Sequence, residues 1–126
     1  MSINDKCPCG SGLKYKKCCK TYHDGKVAKN ALFLMKSRYS AYAQNQYKYI
    51  IKTQYNSKDS IESIKEFSIN TTFKKLEIIE FIDKDNEAFV TFKANLFTDS
   101  KDSSFTEKSR FIKENGIWYY LDGEIL

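Results

Sequence analysis

The stretch FTEKSRFIKENGIWYYLD, residues 105–122, decides the fold of most of this chain. Asn115-Gly116 is the strongest hairpin signal in it, because both residue types readily adopt the positive φ of a two-residue type I′ turn. Apolar and polar residues alternate on both sides of this turn. The stretch therefore predicts two antiparallel strands with Phe111 set opposite Tyr120.

The alternation continues upstream and predicts a sheet of four antiparallel strands, at residues 75–83, 87–98, 103–114 and 117–124. A four-residue turn at 99–102 sets Leu96 opposite Phe105, and the later hairpin sets Ser109 opposite Asp122. The predicted core face carries Val90, Phe92, Ala94, Leu96, Phe105, Phe111, Trp118 and Tyr120, together with the polar residues Glu107, Ser109 and Asp122. The opposite face is mixed and carries Phe89, Lys93, Phe97, Lys108, Arg110, Ile112 and Tyr119.

The residues before the sheet have helical periodicity. Residues 27–45 predict an amphipathic helix whose apolar face is formed by Val27, Ala31, Met35, Tyr39 and Tyr42. Residues 46–55 predict a second helix, and Asp59 or Ser60 is the predicted N-cap of a third. Helices followed by an antiparallel meander indicate an α+β fold with the helices packed on one face of the four-stranded sheet.

A different pattern, CPCGSGLKYKKCC, occupies residues 7–19. Four thiolates in two short pairs suit a tetrahedral ion such as zinc, and iron(II) also accepts such a set. Disulfides within the pairs would close very small, strained rings. The predicted metal ligands are therefore Cys7, Cys9, Cys18 and Cys19, with His23 in place of Cys19 as an alternative.

Charge divides the chain into two predicted modules, which we call the knuckle (residues 1–24) and the body (residues 25–126). Residues 1–30 contain seven lysines and two aspartates, whereas the other 96 residues contain equal numbers of basic and acidic residues. Lysines 14, 16, 17 and 20 form a basic collar that would attract an acidic protein surface, RNA or anionic lipid. Nucleic acid is the less favoured partner, because only Tyr15 and Tyr22 offer aromatic support.

Composition bounds the class of protein. The chain has 126 residues, of which 41% are hydrophobic and 29% charged, and these values are typical of a soluble globular protein. Its longest apolar runs have five residues, so no membrane-spanning helix is predicted. Asp5 and Lys6 stand where a secretory signal would place its apolar core, which predicts a cytoplasmic protein. A reducing cytoplasm favours metal binding over disulfides for the four cysteines.

Residues 7–19 resemble the SEC-C motif, with Leu13 standing where lysine is commoner. That resemblance implies a zinc-binding knuckle, of the kind best known at the C-terminus of the SecA translocation ATPase, where it contacts the chaperone SecB. It therefore implies docking on a protein partner, with a SecB-like chaperone as the example. It does not identify the partner of this chain.

MKSRYSAY at residues 35–42 and EKSRF…GIWYYLDGE within residues 107–124 resemble the YchJ family of bacterial proteins. Members of that family join a SEC-C motif to an NTF2-like (cystatin-like) α+β domain. The resemblance spans nearly the whole chain. It implies a cone-shaped body in which helices pack on the sheet, and it supplies no reaction.

Two functions follow from the predicted modules. The first is a non-catalytic metal-binding adaptor, in which the knuckle docks on a partner and the body is a scaffold or a second binding surface. The alternative is a small-ligand binder or an enzyme that uses a carboxylate in the cone, with a predicted pocket of Arg38, Tyr39, Tyr42, Glu107, Trp118, Tyr120 and Asp122.

A structural role competes with that pocket, since Arg38 is predicted to form an ion pair with Glu107 or Asp122 and so lock helix to sheet. His23 is the only histidine and lies outside the body, which excludes a Ser-His-Asp arrangement, and neither common phosphate-binding loop motif occurs. No catalytic residue is therefore predicted. The mixed sheet face predicts a homodimer contact.

Overall fold

The computed structural model describes residues 2–56 and 59–126. A short 3-10 helix at Tyr15–Lys17 precedes four α-helices: α1 (Cys19–His23), α2 (Ala31–Ala43), α3 (Tyr47–Lys52) and α4 (Ile61–Ile69). Five strands follow: β1 (Thr71–Lys84), β2 (Glu87–Thr98), β3 (Lys101–Asp102), β4 (Phe105–Glu114) and β5 (Ile117–Ile125). The predicted order of helices and then antiparallel strands is confirmed, with the two-residue β3 as an addition.

The sheet is antiparallel with the order β1-β2-β4-β5, and β3 pairs with the end of β2. Helix α2 contacts β1, β2 and β5, and α4 contacts β1. The residues buried between helices and sheet match most of the predicted core face, and include Val90, Phe92, Ala94, Leu96, Phe111 and Trp118. The α+β architecture is therefore confirmed. None of the helices in the described residues is long and apolar enough to cross a bilayer.

The turn between β2 and β4 differs from the prediction. The chain reverses at Asp99-Ser100, whose φ angles are 51° and 67°, rather than over four residues. Consequently Ala94, not Leu96, pairs with Phe105. Because the register moves by two residues, an even number, every side chain keeps its predicted face.

The final hairpin follows the prediction up to a β-bulge. Phe111 pairs with Tyr120, as predicted, but Ser109 pairs with Gly123 and Arg110 with Asp122. Two consecutive residues of β4 thus face three of β5, which inserts one unpaired residue. The predicted pairing of Ser109 with Asp122 is wrong, and Asp122 moves to the opposite face of the sheet.

Helix α2 is shorter than predicted and more deeply buried. It begins after Asn30, whose side chain accepts a hydrogen bond from the Phe33 backbone N–H at 3.0 Å. Val27 precedes the helix and is 55% exposed, so its predicted place in the apolar face is wrong. Ser37 and Ser40 are completely buried. They are buried because α1 packs against the side of α2 that does not face the sheet.

Replacing Asn30 by Ala should lower the free energy of unfolding by about 1 kcal/mol, because the first turn of α2 loses its side-chain acceptor. Asn30→Asp keeps an acceptor and should leave the value nearly unchanged. Urea denaturation followed by circular dichroism measures both. Equal losses in the two variants would contradict a capping role for Asn30.

Candidate metal centre and apolar cavity

The four cysteine sulfurs lie together, although the cysteines come from two separate turns of the chain. Their Sγ atoms all lie within 4.8 Å of one another, and the Cys9 and Cys18 sulfurs are 3.6 Å apart. Tetrahedral zinc with Zn–S bonds of about 2.3 Å requires sulfur separations of about 3.8 Å. No disulfide joins these cysteines. The donor set therefore fits a metal ion held by four thiolates.

Backbone hydrogen bonds fold the knuckle around these sulfurs. The Cys7 N–H donates to the Leu13 carbonyl at 2.8 Å, and the Gly10 N–H donates to the Cys7 carbonyl at 3.2 Å. Gly10 and Gly12 have φ angles of 84° and 85°, a region that residues with a Cβ rarely adopt. The two glycines thus permit the tight reversal that returns the chain from the first cysteine pair toward the second.

Two serine hydroxyls lie beside the sulfurs. Ser11 Oγ is 3.1 Å from Cys18 Sγ, and Ser40 Oγ is 3.3 Å from Cys7 Sγ. A thiolate accepts hydrogen bonds, so each hydroxyl can donate to it and reduce its negative charge. Ser11 belongs to the knuckle, but Ser40 belongs to helix α2 of the body. The surroundings of the sulfurs therefore extend across the predicted module boundary.

The thiols influence each other's ionisation. Hydrogen bonds with Cys19, and then with Cys9, lower the pKa of Cys7. At Cys19, the hydrogen bond with Cys7, and then the one with Cys9, raises the pKa. At Cys9 the hydrogen bond from Cys19 lowers the pKa, but the bond to Cys7, burial and the charge on Cys7 together raise it to about 11. One thiolate is favoured and further ones are opposed, so a cation is needed for all four to ionise together.

His23 lies outside the sulfur cluster and uses both ring nitrogens elsewhere. Nε2 is 2.8 Å from the Ser37 carbonyl oxygen, which can only accept, so Nε2 carries the proton. Nδ1 then accepts from the Tyr15 hydroxyl at 2.6 Å. Burial lowers the pKa of His23 and so favours this neutral form. His23 is therefore not positioned to replace Cys19 as a ligand.

These contacts attach the knuckle to the body. Through His23, the Tyr15 hydroxyl in the knuckle is linked to the Ser37 carbonyl in α2. The His23 ring also packs edge-on against Tyr49 of α3, with 4.8 Å between ring centroids, and Ser37 Oγ lies 2.7 Å from the Tyr49 hydroxyl. The boundary between residues 24 and 25 stays a prediction from composition, while buried contacts cross it.

A cavity of about 210 Å³ lies between the helices and the sheet. Five of the predicted pocket residues line it: Arg38, Tyr39, Tyr42, Glu107 and Tyr120. Most of the remaining lining is apolar and comes from Met35, Phe67, Phe73, Phe92, Ala94, Leu96, Phe105 and Phe111. These five residues therefore border a single cavity, and a ligand for it stays a prediction.

Trp118 and Asp122 do not line the cavity. Trp118 is buried in β5 and borders a separate recess with Lys113, whose Nζ lies 5.5 Å from its ring centroid. Asp122 accepts two hydrogen bonds from Arg110, at 2.7 and 3.1 Å, on the other face of the sheet. The bulge in β5 accounts for this, because it reverses the side on which Asp122 stands.

Arg38 is buried without a carboxylate partner. Its Nη1 donates to the Ile50 carbonyl at 3.0 Å and to Thr53 Oγ1 at 2.7 Å, and its guanidinium lies 4.7 Å from the Tyr120 ring centroid. Among residues 2–56 and 59–126, no carboxylate lies within 4.0 Å of it. Burial lowers its pKa. The predicted ion pair with Glu107 or Asp122 is wrong, since a helix carbonyl and a hydroxyl take the place of the acid.

Glu107 stands at the polar end of the cavity. Its Oε2 accepts hydrogen bonds from Ser109 Oγ and from the Tyr120 hydroxyl, the latter at 3.3 Å. Burial, followed by the charge of Glu107, raises the pKa of Tyr120, which keeps that hydroxyl protonated as a donor. Arg38 thus connects this end of the cavity to helices α2 and α3, whereas Tyr120 and Glu107 belong to strands β5 and β4 of the sheet.

Sequence reasoning missed the polar face of α2. Ser37 and Ser40 are three residues apart on a helix, so they share one face, and two small hydroxyl residues on a buried helix were a detectable signal. Helical periodicity of apolar residues indicates only the apolar face of a helix. Sequence reasoning also missed the cavity contribution of Phe67 and Phe73, which depends on how α4 meets β1 and has no local signature.

Comparison with known proteins gives consistent matches over both modules. The family model described as YchJ, middle NTF2-like domain, matches residues 30–123, and the SEC-C motif matches residues 4–20. The UPF0225 protein YchJ of Shigella dysenteriae serotype 1 is 41% identical over 128 aligned positions, covering 96% of this chain and 84% of the relative. The UPF0225 protein VP1145 of Vibrio parahaemolyticus is 39% identical over 123 residues, covering 93% and 73%.

Two solved structures are similar over nearly the whole chain. The solution structure of a SEC-C motif containing protein from Rhodopseudomonas palustris has a TM-score of 0.87 at 29% identity, covering 95% of this chain and 98% of that one. The crystal structure of a SEC-C motif containing protein from Psychrobacter arcticus has a TM-score of 0.85 at 28% identity, covering 100% and 86%.

Replacing Arg38 by Met should lower the free energy of unfolding by about 1–3 kcal/mol, because the buried Ile50 carbonyl and Thr53 hydroxyl lose a charged donor. Arg110→Met is the matched control, since it removes an exposed arginine whose ion pair with Asp122 is screened by solvent. Urea denaturation of both variants measures the difference. An equal loss, or a gain in stability for Arg38→Met, would contradict a structural role for the Nη1 contacts.

Proposed function

This chain belongs to the YchJ family, which joins a SEC-C motif to an NTF2-like domain, and from that premise we propose that it is a non-catalytic metal-binding adaptor. In this proposal the knuckle binds one zinc ion and docks on an acidic protein surface, while the body is the scaffold. The observation that carries the proposal is the group of four cysteine sulfurs within 4.8 Å.

Zinc is the proposed ion, with iron(II) as the alternative, because four thiolates suit both. Cys7, Cys9, Cys18 and Cys19 would hold it. With four protein ligands the ion would have no open position for a substrate, so it would stabilise the fold and take no part in a reaction. Binding free energies of about 10–16 kcal/mol are usual for such sites, enough to order a segment with as small a core as the knuckle.

The charge of the knuckle supports an acidic partner. Lys6, Lys14, Lys16 and Lys17 are exposed, whereas Lys20 is paired with Asp24 at 2.6 Å. Four thiolates and one divalent ion together carry two negative charges, so these lysines leave the loaded knuckle positive. A SecB-like chaperone is the partner class that the SEC-C motif suggests. A homodimer through the mixed sheet face stays a prediction, and Lys108 covers part of that face by lying 5.0 Å from the Phe89 ring centroid.

Metal content tests the first half of the proposal. Protein purified under reducing conditions should contain about one zinc per chain by elemental analysis, and Cys9→Ser should lose most of it. Less than half an equivalent in the unmodified chain would reject the metal site.

Ser40→Ala tests whether the body supports that site. The variant should bind the same amount of zinc but release it to a chelator about tenfold faster, because Cys7 loses a hydrogen-bond donor. Ser68→Ala is the matched control, since Ser68 is a buried helix serine whose hydroxyl has no partner in the described chain. Equal release rates for the two variants would show that Ser40 does not stabilise the bound thiolate.

Docking can be tested with purified SecB as the probe. Zinc-loaded protein should bind it by calorimetry, and chelation should abolish binding. Replacing Lys14, Lys16 and Lys17 together by Gln should weaken binding and reduce its salt dependence. Replacing the body lysines 36, 65 and 113 by Gln changes the net charge equally and should have little effect. Similar losses in both triple variants would indicate non-specific attraction and contradict docking through the knuckle.

A further inference from the structure

The cavity in the body is lined for a small ligand with an apolar group. Aromatic side chains, including Phe67, Phe73 and Phe105, line much of it. Its volume is about 210 Å³. Apolar cavities of about 150 Å³ already accept benzene, so this one has room for a ring or branched alkyl group together with a small polar head.

Arg38 supplies a cation with two unused donor atoms at the polar end of the cavity. Its side chain lines the cavity and the residue is only 7% exposed. Nη1 is used by Ile50 and Thr53, whereas Nε and Nη2 make no hydrogen bond to any described residue. A buried cation without a negatively charged partner is costly, and the Nε–Nη2 edge of a guanidinium matches the two oxygens of a carboxylate.

Glu107 supplies an acceptor at the same end. Both of its hydrogen bonds fall on Oε2, which leaves Oε1 without a donor among residues 2–56 and 59–126. Glu107 and Arg38 line one cavity but are more than 4.0 Å apart, so a group that lies between them could engage both. The Tyr39 hydroxyl, a buried polar atom of another cavity residue, has no partner within the described chain.

The charges restrict the class of ligand. A purely apolar molecule would leave Arg38 unpaired, and a simple anion would place its charge near the Glu107 carboxylate. A molecule with both a carboxylate and an ammonium group satisfies the two residues together. We propose that the cavity binds a compact zwitterion with an aromatic or branched apolar group, of the class of hydrophobic α-amino acids. The proposal uses no residue of the metal centre and does not rest on the proposed docking.

The experiment uses the full metal-loaded chain with L-phenylalanine as the probe. Calorimetry measures binding, and NMR chemical shifts show whether the cavity residues respond. Two analogues separate the charges: 3-phenylpropionate lacks the ammonium group, and phenethylamine lacks the carboxylate. We expect saturable binding of phenylalanine at millimolar or lower concentration, at least about tenfold tighter than either analogue, because each analogue lacks the group that would pair with Arg38 or with Glu107. Failure of phenylalanine to bind, or equal binding of an analogue, would overturn the proposal.

Two variants test whether phenylalanine binds in the cavity. Glu107→Gln should weaken phenylalanine binding at least about tenfold and reduce the preference over 3-phenylpropionate, whereas the matched Glu87→Gln on the opposite face should change nothing. Ala94→Leu fills the cavity and should abolish binding in a chain that still melts cooperatively. If Ala94→Leu unfolds, the comparison of Glu107→Gln with Glu87→Gln decides whether the ligand binds in the cavity. Unchanged phenylalanine binding in Glu107→Gln would overturn the proposal.

Discussion

Helix α2 is packed on two sides, and both candidate sites depend on that constraint. Met35 and Tyr39 face the sheet and the cavity, while Ser37 and Ser40 are fully buried toward the knuckle and α3. A helix in this position cannot keep a charged outer face, which explains why its middle turns contain small hydroxyl residues. It also explains why Arg38 is buried on the same helix. A shift of α2 would therefore disturb the sulfur cluster and the polar end of the cavity together.

Local sequence signals predicted the helices and strands. The predicted strand register was wrong at two places, one turn and one bulge. Asn115-Gly116 gave the correct hairpin because a two-residue turn of this composition leaves little choice of geometry. Asp99-Ser100 was hidden inside a longer polar run, DSKD, whose members all suit a turn. That error moved the register by two residues and kept the faces. The bulge in β5 moved it by one and carried Asp122 to the wrong face, and no local residue pattern announced it.

The candidate sites were predictable to the extent that their residues are close in sequence. The cysteines lie within thirteen residues, so their spacing alone predicted a cluster. Arg38 was predicted at the margin of the apolar helix face and lines the cavity, but its predicted partners were wrong. An acid is the intuitive partner for a buried arginine, whereas the structure uses the Ile50 carbonyl and Thr53 hydroxyl at the end of α3. A backbone carbonyl and a hydroxyl carry no net charge, so the sequence does not indicate that they pair with Arg38. Only the tertiary structure shows this pairing.

The sequence composition changes sharply between the knuckle and the body, but the interactions that stabilise the two modules do not separate at the same point. Charge and cysteine content change near residue 24, which makes the knuckle look separable. Yet Ser40 Oγ lies beside Cys7 Sγ, and His23 Nε2 donates to the Ser37 carbonyl, so polar atoms on the two sides of this boundary are partners of each other. Leaving such buried groups without partners costs about 1–3 kcal/mol each. Metal binding that orders the knuckle would therefore also stabilise α2, and through α2 it would stabilise the position of Arg38 in the cavity.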